Sequence, residues 1–406
     1  MSGHAALLRS SGDRRQAVWI GVRERRMDDR PATFFAGNVR VEVLDIRSAA
    51  ANYDEWMRLS SRSLDRNPFF EPEFMLPAVG RLLGPQRPRI LVARKRCDGR
   101  IRMVGLLPLA PIRHSIGFVP IKGWRNELMP IGAPLLDREC AAETLSALLA
   151  WIDRFEPRNC GLLLHSVPTD GPTASVIRSV TSVRELDPRE RAAILTEKLG
   201  ADRSSPSRRR KLARLRRRLG EQGNLAFRML EYDEVPLALE RFLDLEASGW
   251  KGSRGTALRN NLITLGVARA FTQRLSAQRR CMLAILELDE ILVAAGIILI
   301  SGPLAAYWKT AYNEYYSKYS PGALIADDIS RLLLERADIE VIDSCTIPNH
   351  PLFDGLWASR IQIADLLLGG RNVARTTLSS RQETYRRAIR NVLKDTYLRV
   401  TGRKRV

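Results

Sequence analysis

Between Leu225 and Asp343 the apolar spacing switches repeatedly between a strand period of two and a helix period of about 3.6. The order of those switches leaves few folds open. Leu225 to Leu230 reads as a strand, and Val235 to Ser248 and Asn260 to Leu275 read as helices. Met282 to Leu288 and Ile291 to Ser301 form a hairpin turning at Asp289-Glu290, and Leu304 to Ala311 extends it. Ala323 to Ala337 is then a helix and Ile339 to Asp343 a strand. Each element has one apolar face, so the succession β-α-α-β-β-β-α-β packs helices on a mixed sheet, an α/β (α+β) domain.

A similar grammar stands upstream. Val41 to Ile46 alternates as a strand, and Tyr53 to Ser63 is a short amphipathic helix. Asn67 to Met75 turns into a helix that ends near Gly84. Arg89 to Arg94 and Ile101 to Ile112 are strands joined across Cys97-Asp-Gly-Arg100, an Asp-Gly hairpin signal. Ala141 to Phe155 is a helix and Leu162 to Val167 a strand. A chain of 406 residues exceeds one typical core, so two such domains are expected. Residues 1–36 read as a disordered basic leader, with Met1 and Met27 both open as the true start. Residues 37–183 form the N-terminal domain, 184–223 a charged bridge, 224–370 the C-terminal domain and 371–406 a basic helical tail. Within the bridge Leu212, Leu215 and Leu219 share one face of a helix whose remainder, Arg208 to Arg218, is nearly all cationic.

Charge bounds the partners. Lys+Arg 65 against Asp+Glu 45 leaves +20, a field that favours nucleic acid, an anionic membrane surface or phosphate-bearing small molecules. Arg-rich coding would produce much of the same excess. Five cysteines without a C-x-x-C pair and four scattered histidines argue against a metal site or disulfide framework. The most apolar stretch, Cys281 to Ile300, is broken by Glu287, Asp289 and Glu290. Arg9, Arg14 and Arg15 stand at the N-terminus without an apolar segment between them. A soluble cytoplasmic protein without a metal is the expectation.

Three spaced segments carry a family likeness: Leu245-Glu-Ala-Ser-Gly-Trp-Lys-Gly-Ser-Arg-Gly-Thr-Ala-Leu258, Lys309-Thr-Ala-Tyr-Asn-Glu-Tyr-Tyr-Ser-Lys-Tyr-Ser-Pro-Gly322, and Asp343-Ser-Cys-Thr-Ile-Pro-Asn-His-Pro351 followed by Trp357 and Arg360. With Arg66-Asn-Pro-Phe-Phe-Glu-Pro-Glu-Phe74, they resemble the CelD/BcsL-type acetyltransferases, a GNAT branch related to the Fem-type transferases. The resemblance covers roughly residues 40–370 and implies tandem GNAT-like acyl-CoA N-acyltransferase domains with mixed sheets flanked by helices. It implies acetyl-CoA or another acyl-CoA as co-substrate. The acceptor it implies is a hydroxyl or amine of a saccharide or other cell-envelope-related molecule. Such a protein works in the cytoplasm or peripherally at the inner membrane, as part of polysaccharide biosynthesis. Two alternatives stay open: a Fem-like transferase using aminoacyl-tRNA, and a non-catalytic scaffold in exopolysaccharide assembly.

Candidate site residues follow from chemistry within that frame. Ser320, Gly322 and Ala323 open a helix whose free N–H groups and dipole suit the phosphates of CoA. Only one glycine stands in this loop, and Asp327 and Asp328 occupy the first turns. Lys309, Trp250 and Lys251 complete the donor set; Lys309 instead pairs with an acid, and Trp250 packs, in the blander reading. His350 is the base by type, with Asp343 orienting it. Glu246 is a second acid/base candidate or a surface carboxylate, and Tyr312 follows the central strand. Cys345 is expected to pack in the core. Arg208 to Arg218 either meets an anionic membrane surface or RNA, or is a solvated face between domains.

Overall fold

The computed structural model describes residues 33–81, 87–111, 117–156, 159–198, 206–370 and 372–400. The chain enters through β1 (Phe34–Ala36), β2 (Val39–Leu44), α1 (Ile46–Ala51), α2 (Tyr53–Arg62) and α3 (Pro72–Gly80). It continues through β3 (Arg89–Cys97), β4 (Arg100–Leu109), β5 (Ile121–Lys122), β6 (Leu135–Leu136), α4 (Ala141–Phe155), β7 (Leu162–Pro168), α5 (Pro172–Val180) and β8 (Val183–Leu195). After α6 (Pro206–Gly220) come β9 (Leu225–Leu230), α7 (Glu234–Ser248), α8 (Trp250–Ser253) and α9 (Leu262–Ser276). The meander β10 (Cys281–Leu288), β11 (Ile291–Ser301) and β12 (Leu304–Tyr312) leads to α10 (Pro321–Leu334) and β13 (Val341–Asp343). Strand β14 (Ser359–Leu368) and helix α11 (Val373–Val400) close the chain.

Local chemistry sets many of these boundaries. Asp45 caps α1 by accepting from Ser48 N–H at 2.7 Å, so the strand that precedes it stops at Leu44. Asp98 and Gly99 take φ of 50° and 77°, the left-handed pair that a two-residue hairpin requires between β3 and β4. Asp289 and Glu290 do the same between β10 and β11, with Asp289 also accepting from Asn224 N–H at 2.8 Å.

Two sheets result among the described residues, a mixed α/β architecture flanked by helices as expected. The first is five-stranded in the order β1-β2-β3-β4-β6, and the second nine-stranded in the order β5-β7-β14-β8-β13-β12-β11-β10-β9. On β10 and β11 alternate residues enter opposite cores. Leu283, Ile285, Ile297 and Leu299 pack with Phe242 and Phe271 of α7 and α9. Met282, Ala284, Ile298 and Ile300 pack with Leu212, Leu215 and Leu219 of α6 and Ile325 and Ile329 of α10. An aromatic chain ties the two halves: Phe74 meets Phe271 at 5.1 Å, and Phe271 meets Trp308 at 4.8 Å between ring centroids.

Two expectations need correction at the level of elements. The leader expected over residues 1–36 gives up its last residues to a strand, because Phe34 sets its ring edge-on to Phe155 at 5.6 Å while β1 pairs with β2. The rest of that leader lies outside the described residues. The charged stretch after Arg184 begins as the long strand β8, since β13 and β14 supply partners far away in sequence. Most of its charges fall on exposed or half-buried positions, while Arg191, Ala192, Ala193 and Ile194 are buried.

Candidate functional site

Strands β12 and β13 run parallel only from Leu304↔Val341 to Ala306↔Asp343. Beyond that register β12 continues to Tyr312 while the other chain turns away, through left-handed Cys345 and Asn349 with φ of 53° and 55°. A cavity of about 600 Å³ opens at this divergence. A bulge contributes: Ile297 pairs with Lys309 but Ile298 pairs with Tyr307, so Trp308 is the extra residue. Trp308 turns into the core, where its Nε1–H donates to Leu128 O at 3.0 Å, and Lys309 turns to the cavity.

Nine of the ten residues singled out from sequence line this one cavity: Glu246, Trp250, Lys251, Lys309, Tyr312, Ser320, Gly322, Ala323 and His350. They come from α7, α8, β12, the start of α10 and the loop after β13. Asp343 is the exception. It is buried in an ion pair with Arg191 and accepts from Cys345 N–H at 2.8 Å, while Arg191 also donates to Pro130 O at 3.0 Å. The expected orienting contact between Asp343 and His350 is therefore replaced by a structural pair, because a buried guanidinium needs its counter-charge.

His350 is instead placed by its own loop. Leu352 N–H donates to its Nδ1 at 3.4 Å, and its ring lies 5.6 Å from that of Phe353. Burial pushes the imidazole below its ordinary range, with Lys251 adding to the shift and Asp354 opposing it. A neutral ring whose Nδ1 accepts carries its proton on Nε2, where it is a donor.

Glu246 is fully buried and both its oxygens are engaged. Oε1 takes Lys251 Nζ at 3.0 Å, with Lys309 Nζ 4.0 Å away, and Oε2 takes Leu258 N–H at 2.8 Å. It is an anchor for two lysines, and the surface-carboxylate reading is excluded by its burial. Lys251 also caps Thr310 O at 2.9 Å, a carbonyl at the diverging edge of β12. The Lys309 ammonium has no hydrogen bond among the described residues, and burial lowers it below the usual lysine range. Lys251 adds to that shift, while Glu246 and Glu127 oppose it.

At the head of α10, Ser320 holds the left-handed φ of 53° that bends the chain into the helix. Gly322 is tight for packing: a Cβ there would meet Leu352 Cδ1 at 2.8 Å and Tyr312 Cδ1 at 3.5 Å. The glycine thus seats the helix end against β12 and the His350 loop, which differs from a glycine kept small for phosphate. The two nearby acids are neutralised, Asp327 by Arg331 and Asp328 by Arg216 of α6. Trp250 N–H donates to Glu314 at 2.6 Å, and its ring carries the Arg254 guanidinium at 5.1 Å. Among the lining residues not assigned to the site from sequence is Tyr307, and Arg208 of the basic helix also reaches the cavity. Tyr307 is buried, and burial raises its hydroxyl above the ordinary phenol range, with a side-chain hydrogen bond to Thr310 opposing the shift. Alternation along β12 could have marked its face.

Residues 206–350 match the family model described as an acetyltransferase (GNAT) domain. This segment is similar to GNAT-type acyltransferase domains. It contains α6, the whole cavity-forming meander and His350. Among solved structures, the chain is similar to a conserved protein of unknown function from Bacteroides thetaiotaomicron, with TM-score 0.50, 12% identity, and 81% and 99% of the two chains covered. It is also similar to a tandem GNAT protein from the clavulanic acid biosynthesis pathway, with TM-score 0.40, 13% identity, and 82% and 99% covered. FemX is a further likeness, with TM-score 0.49, 11% identity, and 73% and 87% covered. No curated protein sequence matches the chain. The GNAT domain has no cluster of potential metal ligands among the described residues, and no described helix is long and apolar enough to cross a membrane.

Proposed function

We propose that the GNAT domain transfers an acyl group, most simply acetyl, from acyl-CoA to a hydroxyl or amine of a saccharide or cell-envelope-related acceptor. The observation that carries this reading is the divergence of β12 from β13 after Ala306/Asp343, beside the N-terminus of α10. A thioester arm lying in that gap has unpaired strand edge on one side and the helix's N–H groups on the other. Gly322 N–H has no acceptor among the described residues, while Ala323 and Leu324 N–H turn back to Ser320 O. Ser320, Gly322 and Ala323 face the donor's phosphates, helped by Lys251 and Trp250 at the rim.

Transfer needs a group to take the acceptor's proton and another to meet charge on the thioester oxygen. We assign the first to Lys309, whose burial favours the neutral amine, and the second to His350 Nε2–H. Tyr312 borders both. Glu246 holds the two lysines and Asp343 holds Arg191; neither meets the reacting atoms in this scheme. A CelD/BcsL-type role in polysaccharide biosynthesis, in the cytoplasm or at the inner membrane, remains part of the proposal. The exposed cations of α6 would face the anionic surface.

Calorimetric titration of RNase-treated protein with acetyl-CoA tests the donor. Saturable binding is expected, weakened by Lys251→Ala. Treated protein that ignores acetyl-CoA, together with untreated protein that carries RNA, would replace this reading with an aminoacyl-tRNA donor, and protein that takes neither would favour the scaffold.

A further inference from the structure

A second cationic cavity lies away from the acyl-transfer gap. It occupies about 620 Å³ between β8, the residues after β5, and α11. Its acids are already spent. Arg178 holds Glu185 at 2.7 Å, Arg189 holds Asp187 at 3.2 Å, and Arg387 holds Glu383 at 3.1 Å. Its cations are in excess: Arg125, Arg184 and Arg390 line it with no acidic partner among the described residues. Burial pushes the Lys122 ammonium down; Glu383, 3.9 Å away, opposes the shift, and the charges of Arg386, Arg387 and Arg390 add to it.

A buried dyad forms one wall. His165 is nine-tenths buried, and its Nδ1 lies 2.9 Å from Asp365 Oδ2. Asp365 also accepts from Ser166 N–H at 2.8 Å and meets Arg189 at 3.2 Å and Arg387 at 3.0 Å. Burial opposes the ionised carboxylate, but the His165 hydrogen bond and these charges hold it well below the usual range. With Asp365 ionised, Nδ1 donates, and Nε2 has no hydrogen-bond partner among the described residues. His165 and Arg125 also line a smaller cavity of about 370 Å³, which Glu127 borders as well.

We propose that this groove binds a phosphate or pyrophosphate group, clamped by Arg125 and Arg184 and bordered by Arg390 and the unpartnered Nε2 of His165. Guanidinium forks fit phosphate oxygens bidentately, and Nε2 accepts from a protonated phosphate oxygen. The site is independent of the acyl-CoA reading. Its phosphate comes either from a soluble ligand or from a lipid headgroup, since Tyr385, Ile389 and Val392 stand exposed on α11 nearby.

The full chain is titrated with inorganic pyrophosphate at moderate salt, with and without saturating acetyl-CoA. Saturable binding that acetyl-CoA leaves intact is expected. The exposed pair Arg125→Ala with Arg184→Ala should weaken it roughly tenfold or more, the scale of lost charge-assisted contacts, without lowering the melting temperature. With acetyl-CoA saturating, Arg254→Ala, at the other cavity, should change nothing. Phosphatidate vesicles provide the second arm: capture that the double variant loses assigns the phosphate to a lipid headgroup. Pyrophosphate binding without capture assigns it to a soluble ligand. Failure of both probes to bind the wild type overturns the proposal, as does binding that the double variant retains in full.

Discussion

At the scale of single residues, burial decides which polar groups act and which only hold the fold. Asp343 and Arg191 are both almost wholly buried, and each is the other's counter-charge. Asp343→Asn should therefore destabilise the protein by about 3–5 kcal/mol, the scale of breaking a buried pair, in chemical denaturation. Turnover per folded molecule should stay near wild type; a large fall in kcat at unchanged stability would return Asp343 to the chemistry. His350 calls for the opposite experiment. His350→Ala should lower kcat roughly a hundredfold, as for a lost oxyanion donor. His350→Gln, which keeps an N–H, should recover much of that loss. Rate should rise with pH through a limb below the ordinary lysine range, because Lys309 must shed its proton to accept another. That limb should persist in His350→Gln; its disappearance there would make the imidazole the base.

At the scale of elements, α6 shows how one helix serves two surfaces. Leu212, Leu215 and Leu219 are buried on one face, and Arg216 crosses to Asp328 on α10. Arg210, Arg214 and Arg218 stand exposed on the opposite side. Reversing those three to Glu should weaken binding to anionic vesicles or RNA and flatten its salt dependence, with the melting temperature little changed. Acetyl-CoA affinity should hardly move. Wild-type protein that binds neither surface at moderate salt would leave α6 as a packing helix with a solvated face. Strand β8 teaches a related lesson. Its charged residues alternate poorly with apolar ones, so its strand character rests on β13 and β14 rather than on its own pattern.

At the scale of the whole molecule, β14 lies between β7 and β8, so a strand near the C-terminus completes pairing begun in the first half. Together with the Phe74–Phe271–Trp308 chain, this predicts a single cooperative transition for the intact protein in calorimetry. Two separated transitions would show that the halves unfold independently. By itself the sequence determined what depends on neighbours in the chain. The hairpins at Asp98-Gly99 and Asp289-Glu290, the helix of residues 141–155, the apolar face of α6 and the meander β10–β12 were legible in local pattern and turn chemistry. So was the set of side chains around the cavity at the divergence of β12 and β13, because three motifs brought them close in sequence to that meander. Tertiary structure alone decided the pairings across long separations. The 152-residue span from Arg191 to Asp343 and the 200-residue span from His165 to Asp365 join groups that no local period connects. A buried charge finds its partner through the packing of whole sheets, and that information is spread over the entire chain.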